Sequence, residues 1–159
     1  MHRRFASLIL GLLLAAAVRA EGAAGTANGA TWPDEAARLL WTVTDNGYAL
    51  DAAAADAWCR GLRTAGFDDW RLPTIDELAS LYEKQSSRTI KIRPPFVLSP
   101  GGACLWSSTR GACCRQLPNA WGFDFTDGST RGGGQLPGRG EGSDWRAVCV
   151  RDSGRASGS

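Results

Sequence analysis

Apolar residues fall into short runs, first a strand-like one, then two at helical spacing and, after Ser86, loops and alternating β runs. Leu39-Leu40-Trp41-Thr42-Val43 is an apolar, β-forming run closed by Asp45-Asn46-Gly47, the composition of a strand followed by a turn. Ala55, Trp58, Cys59 and Leu62 then recur at i, i+3, i+4 and i+7. That spacing predicts a helix from an Asp51 N-cap to Leu62 or Arg63, with Cys59 on its apolar face and Gly66 as the stop. A second helix has the sharper start signal. Thr74 and Glu77 form a capping box, Pro73 stands at N′ where it can pack on Leu78, and Ile75, Leu78, Leu81 and Tyr82 supply a buried face.

After Ser86 the chemistry turns to loops, with Pro94-Pro95 and Ser99-Pro100-Gly101-Gly102. The remainder reads as β: a short strand from Cys104 to Ser108, then Trp121, Phe123 and Phe125 alternating with Gly122, Asp124 and Thr126 before an Asp127-Gly128 turn. Those three rings are expected on one sheet face. Residues 131–143 read as a glycine-rich loop, and Trp145 to Arg151 as the last strand. The expected fold is α+β, two helices packed on one twisted antiparallel sheet with long loops and a disulfide staple. Residues 32–152 would form the domain, between a flexible segment at 21–31 and a tail at 153–159.

The first residues change the expected compartment. His2, Arg3 and Arg4 precede an apolar run from Phe5 to Val18, and Val18-Arg19-Ala20 resembles a small-x-small cleavage site. Residues 1–20 therefore read as a signal peptide, cut before Glu21 or near Ala24, and the remaining chain is expected in the periplasm, secreted or at the cell surface. No later stretch is apolar enough for a transmembrane span. Removing Arg3, Arg4 and Arg19 leaves 15 basic against 16 acidic residues. These are unevenly spread: residues 21–87 hold 5 basic and 11 acidic groups, and residues 88–159 hold 10 basic and 5 acidic. A basic second half suits an anionic partner. Arg110, Arg115, Arg131, Arg139 and Arg146 are the candidate ligand-binding residues, because guanidinium forks match sulfate and carboxylate at two points.

Five cysteines in an exported chain read as a disulfide framework: Cys59, Cys104, Cys113, Cys114 and Cys149. One must be left over, and sequence alone does not choose among the pairings. A Cys59 to Cys149 bridge would tie the first helix to the last strand. Cys104 would take Cys113, or Cys114 in its place. No C-x-x-C occurs and the only histidine is His2, so no zinc site is expected.

The order of motifs resembles a known bacterial family. Leu40-Trp41, Asp45-Asn46-Gly47, Ala57-Trp58-Cys59, Asp69-Trp70-Arg71-Leu72-Pro73-Thr74 with Glu77-Leu78, Trp106-Ser107-Ser108-Thr109, Ala120-Trp121, Asp124-Phe125, Asp127-Gly128 and Val148-Cys149-Val150-Arg151 stand in that order across residues 39–151. This resembles the Lcl C-terminal domain family, named for the end of a collagen-like bacterial adhesin. The resemblance implies a fold related to C-type-lectin-like and formylglycine-generating-enzyme domains, and binding of sulfated glycosaminoglycans as in that adhesin. The chain itself has no Gly-X-Y stalk.

These readings predict a non-catalytic binding module for an anionic glycan, with no cofactor and no metal. An envelope structural or assembly role through protein contacts is the alternative. A cysteine-dependent oxidase, suggested by the distant fold relation and by Cys104 beside Cys113 or Cys114, is the third. The region after the leader has no histidine to serve as a base, and Asp124 and Asp127 read as turn chemistry. Asp124, Asp127, Glu141 and Asp144 are too scattered for a calcium cage. Nucleic acid is not expected as a partner, because no contiguous basic run is present.

Overall fold

The computed structural model describes residues 30–111, 119–132 and 145–154. The leader, Cys113, Cys114, Arg115 and Arg139 lie outside the described residues. The elements run β1 (Thr31–Asp34), β2 (Leu39–Thr42), α1 (Ala52–Gly61), a short turn of 3-10 helix (Thr64–Gly66), α2 (Ile75–Ser80), β3 (Cys104–Gly111), β4 (Asn119–Asp124), β5 (Ser129–Gly132) and β6 (Val150–Asp152). No helix among the described residues is long and apolar enough to cross a membrane.

The fold is α+β, but the expected single sheet is two. One is ordered β1-β2-β6 and the other β3-β4-β5, every pair antiparallel. Residues 145–150 run between them. Arg146 pairs with Leu105 of the second sheet, and four residues later Val150 pairs with Trp41 of the first and bridges to Arg71. Between those contacts, side chains replace ladder partners: Asn46 Oδ1 accepts from the Ala147 N–H at 2.7 Å and Thr42 Oγ1 from the Cys149 N–H at 2.9 Å. The last strand is therefore shorter than its apolar run. Pro33 sits in β1, which is an edge strand where a missing N–H is tolerated. Arg131 and Gly132, expected in a loop, finish β5 instead.

Both helix caps follow the local chemistry. Asp51 accepts from the Ala54 N–H at 2.8 Å, and Thr74 and Glu77 cap each other across the first turn of α2. Two hydrophobic cores result. Leu39, Trp41, Leu78, Leu81, Phe96, Phe123 and Phe125 belong to one, with Val148 and Val150; Cys59, Trp70, Trp106 and Trp145 belong to the other, with Ala147 and Cys149. The final segment thus feeds the cores with alternate residues, the period of an extended chain. Gly122 is required where the second core meets β4, because an added Cβ would lie 1.6 Å from the Trp145 ring. Phe123 and Phe125 pack 4.8 Å apart as expected, whereas Trp121 is half-buried and joins neither core.

The Cys59–Cys149 bridge is formed, with both residues fully buried. It closes a separation of 90 residues, which in the chain-entropy model stabilises by roughly 4 to 5 kcal/mol as an upper figure. Cys104 carries a free thiol among the described residues, and Cys113 and Cys114, its expected partners, lie outside them.

Candidate ligand-binding surface

The three candidate arginines among the described residues, Arg110, Arg131 and Arg146, differ sharply in surroundings. Arg110 is exposed on β3 opposite Ala120, and Arg131 stands on β5 opposite Gly122. Directly opposed residues share a face, and Ala120 and Gly122 are two apart on β4. Both arginines therefore lie on one face of the second sheet, about 12 Å apart across the central strand.

Arg131 is already engaged there. Its Nε and Nη2 donate to Asp124 Oδ2 at 3.1 and 2.9 Å, and Nη2 reaches Asp127 Oδ2 at 3.2 Å. Two carboxylates around one guanidinium leave the cluster net negative. The same acids close the hairpin: Asp124 Oδ1 accepts from the Thr126 N–H and hydroxyl at 2.9 and 2.6 Å, and Asp127 Oδ1 accepts from the Ser129 N–H at 2.8 Å. Gly128 supplies the φ of +79° that the turn needs. Hydrogen bonds from Ser129 hold the Asp127 carboxyl below its ordinary range, and the Asp124 contact raises Arg131.

Arg146, expected on a ligand-facing surface, lies inside at 8 % exposure. Its Nη2 donates to the Pro100 carbonyl at 2.7 Å, and its Nη1 to Ser99 Oγ. Ser99 in turn donates to Asp45, from its hydroxyl at 2.6 Å and its N–H at 2.9 Å, and Asp45 also accepts from the Gly47 N–H at 2.8 Å. Gly102 is the close-fitting piece, since a Cβ there would stand 2.6 Å from Asp45 Oδ2 and 2.9 Å from Arg146 Cδ. The burial follows from the backbone, because Arg146 exchanges hydrogen bonds with Cys104 and Trp106 beneath the 99–102 loop.

Two further arginines lie outside the expected set and hold the scaffold. Arg151, 2 % exposed, forks onto Asp69 at 2.5 and 3.1 Å and lies 3.7 Å above the Phe67 ring. Arg71 forks onto Glu77 at 2.9 and 2.8 Å and reaches Asp152 at 3.1 Å, tying the α2 cap to β6. Burial alone would raise the Glu77 carboxyl, but the Arg71 fork and the Thr74 N–H together hold it below the ordinary value. Arg-containing motifs named these positions; their partners could not be read from spacing.

Cys104 is half-buried beside Asp124, its partner across the β3–β4 ladder. Burial first, and the Asp124 carboxylate second, push its thiol up to about 12. It keeps its proton near neutral pH and is a poor nucleophile.

Compared with known proteins, residues 30–151 match the family model described as the Lcl C-terminal domain. No curated protein and no solved structure matches. The matched span runs from the residue before β1 into β6 and takes in both sheets, both helices and the Cys59–Cys149 bridge. The chain belongs to the Lcl C-terminal domain family.

Proposed function

We propose that this chain is an exported, non-catalytic binding module whose ligand is an anionic glycan. The anionic ligand is supported by the 10 basic against 5 acidic groups of residues 88–159, and one observation carries the non-catalytic part of the reading. The carboxylates in the best-connected polar clusters, Asp45, Asp69, Glu77 and Asp124, each accept at least two hydrogen bonds that hold a turn, a cap or an ion pair. Groups so engaged serve the scaffold rather than acid–base chemistry, which needs a carboxyl free to exchange a proton with substrate. The protonated Cys104 thiol speaks in the same direction against an oxidase that works through a thiolate. Export is supported by the basic and apolar leader and by a disulfide set in the core. A fold relation to C-type-lectin-like domains belongs to the same proposal.

A second reading, assembly with another envelope protein, is favoured by Tyr48 and Val97, which are 55 % and 64 % exposed. Retention on immobilised heparin separates the two. The oxidised, exported protein is expected to bind at low salt, elute along a salt gradient and pass unretained through neutral dextran. Passage through heparin at low salt contradicts the glycan reading and leaves assembly as the better one.

A further inference from the structure

Among the described residues, a run of basic charge lies on the segment between α2 and β3, which is joined to the β4–β5 hairpin through Lys91 and Phe125. Residues 83–93 hold Lys84, Arg88, Lys91 and Arg93 against the single acid Glu83. Arg88 braces the segment from within, donating to the Ile92 carbonyl at 2.5 Å and lying 3.4 Å from Glu83. Among the described residues no carboxylate lies within ion-pair distance of Lys84, Lys91 or Arg93.

The backbone that carries Lys91 and Arg93 is fixed by hydrogen bonds on both sides. Ile92 bridges to Tyr82, with the Glu83 N–H donating to the Lys91 carbonyl at 2.8 Å and the Arg93 N–H to the Leu81 carbonyl at 2.9 Å. The Lys91 N–H donates to the Phe125 carbonyl at 2.8 Å, tying the segment to the end of β4. Ile90 and Ile92 pack on the first core, so Lys91 and Arg93 alternate away from them, about 7 Å apart along an extended chain and each half-buried. Arg93 sits 5.1 Å over the Trp32 ring, which packs edge-on against Phe96 at 5.6 Å. That contact orients the guanidinium without neutralising it. Asp34, the nearest acid along β1, is turned to the β1–β2 turn, where it accepts from the Ala37 N–H at 3.1 Å.

We infer that Lys91 and Arg93, with Trp32 behind Arg93, form the docking strip for the carboxylate or sulfate groups of an acidic polysaccharide. The inference rests on the anionic-glycan reading and moves its site from the arginines of β3 and β5 to the α2–β3 segment. Charge complementarity favours Lys91 and Arg93 over Arg131, whose charge Asp124 and Asp127 already take up.

Heparin affinity of two double variants tests it, with thermal unfolding to verify folding. Lys91→Ser/Arg93→Ser is expected to bind at least about tenfold more weakly, as two charge-assisted contacts are lost, and Arg110→Ser/Arg131→Ser to change by no more than about twofold. The single variant Lys91→Ser leaves the Arg93–Trp32 contact intact and is expected to weaken binding as well, so a folding defect at Arg93 cannot decide the result. Wild-type affinity in both strip variants overturns the strip and leaves the glycan reading standing. An unretained wild type overturns both. Cosedimentation with phosphatidylserine-containing vesicles, without heparin binding, overturns them in favour of a membrane surface.

Discussion

Arg146 and Arg93 are both basic residues of the chain's second half, yet the fold gives them opposite surroundings. Arg146 is enclosed by Ser99, Pro100 and Gly102 and holds a loop on Asp45. Arg93 stands over Trp32 with no carboxylate beside it among the described residues. Counting cations along a sequence therefore measures neither the charge a surface offers nor where it lies. The useful quantity is the charge left after internal pairing, and among the described residues Lys91 and Arg93 keep theirs while Arg131 of β5 does not.

The contrast breaks most visibly from the inside. Arg151→Ala should destabilise by about 3 to 5 kcal/mol, because it leaves Asp69 without its buried fork; chemical denaturation measures this, and heparin affinity of the folded fraction should be unchanged. Arg146→Ala should cost about 1 to 3 kcal/mol, since Ser99 and the Pro100 carbonyl lose their donor, read in the same way. Thr74→Ala should cost about 1 kcal/mol through the lost cap of α2, seen as a lower melting midpoint. Replacing Lys91 and Arg93 by Ser should change stability by no more than about 0.5 kcal/mol while weakening heparin binding.

Acidification sharpens the same division. Glu77 is held below its ordinary value of 4.5 in the fold, so its contribution is fully present above that value and is lost as pH falls through the folded one. The melting midpoint should fall on acidification, and Glu77→Gln should flatten that dependence while lowering the midpoint near neutrality.

What could be read in advance was local. The Asp51 and Thr74 caps, the Asp127-Gly128 turn and the apolar stripe carrying Cys59 each depend on residues within one or two turns of chain. Placing Cys59 on a buried face and Cys149 in an apolar final strand also brought those cysteines together. Pairing over long distances was less legible. The division into two sheets depends on Thr42 and Asn46 standing in for ladder partners of Cys149 and Ala147, more than 100 residues away in sequence. The burial of Arg146 likewise depends on where the 99–102 loop closes. Alternation at Ile90-Lys91-Ile92-Arg93 was present in the sequence, hidden inside a stretch whose prolines mark it as loop.

The most direct measurement is a heparin-oligosaccharide titration of the labelled protein, followed by amide and indole NMR shifts. The largest changes are predicted to fall on Lys91, Arg93 and the Trp32 indole. Changes centred on Arg110 and Arg131, or no saturable change at all, would contradict it.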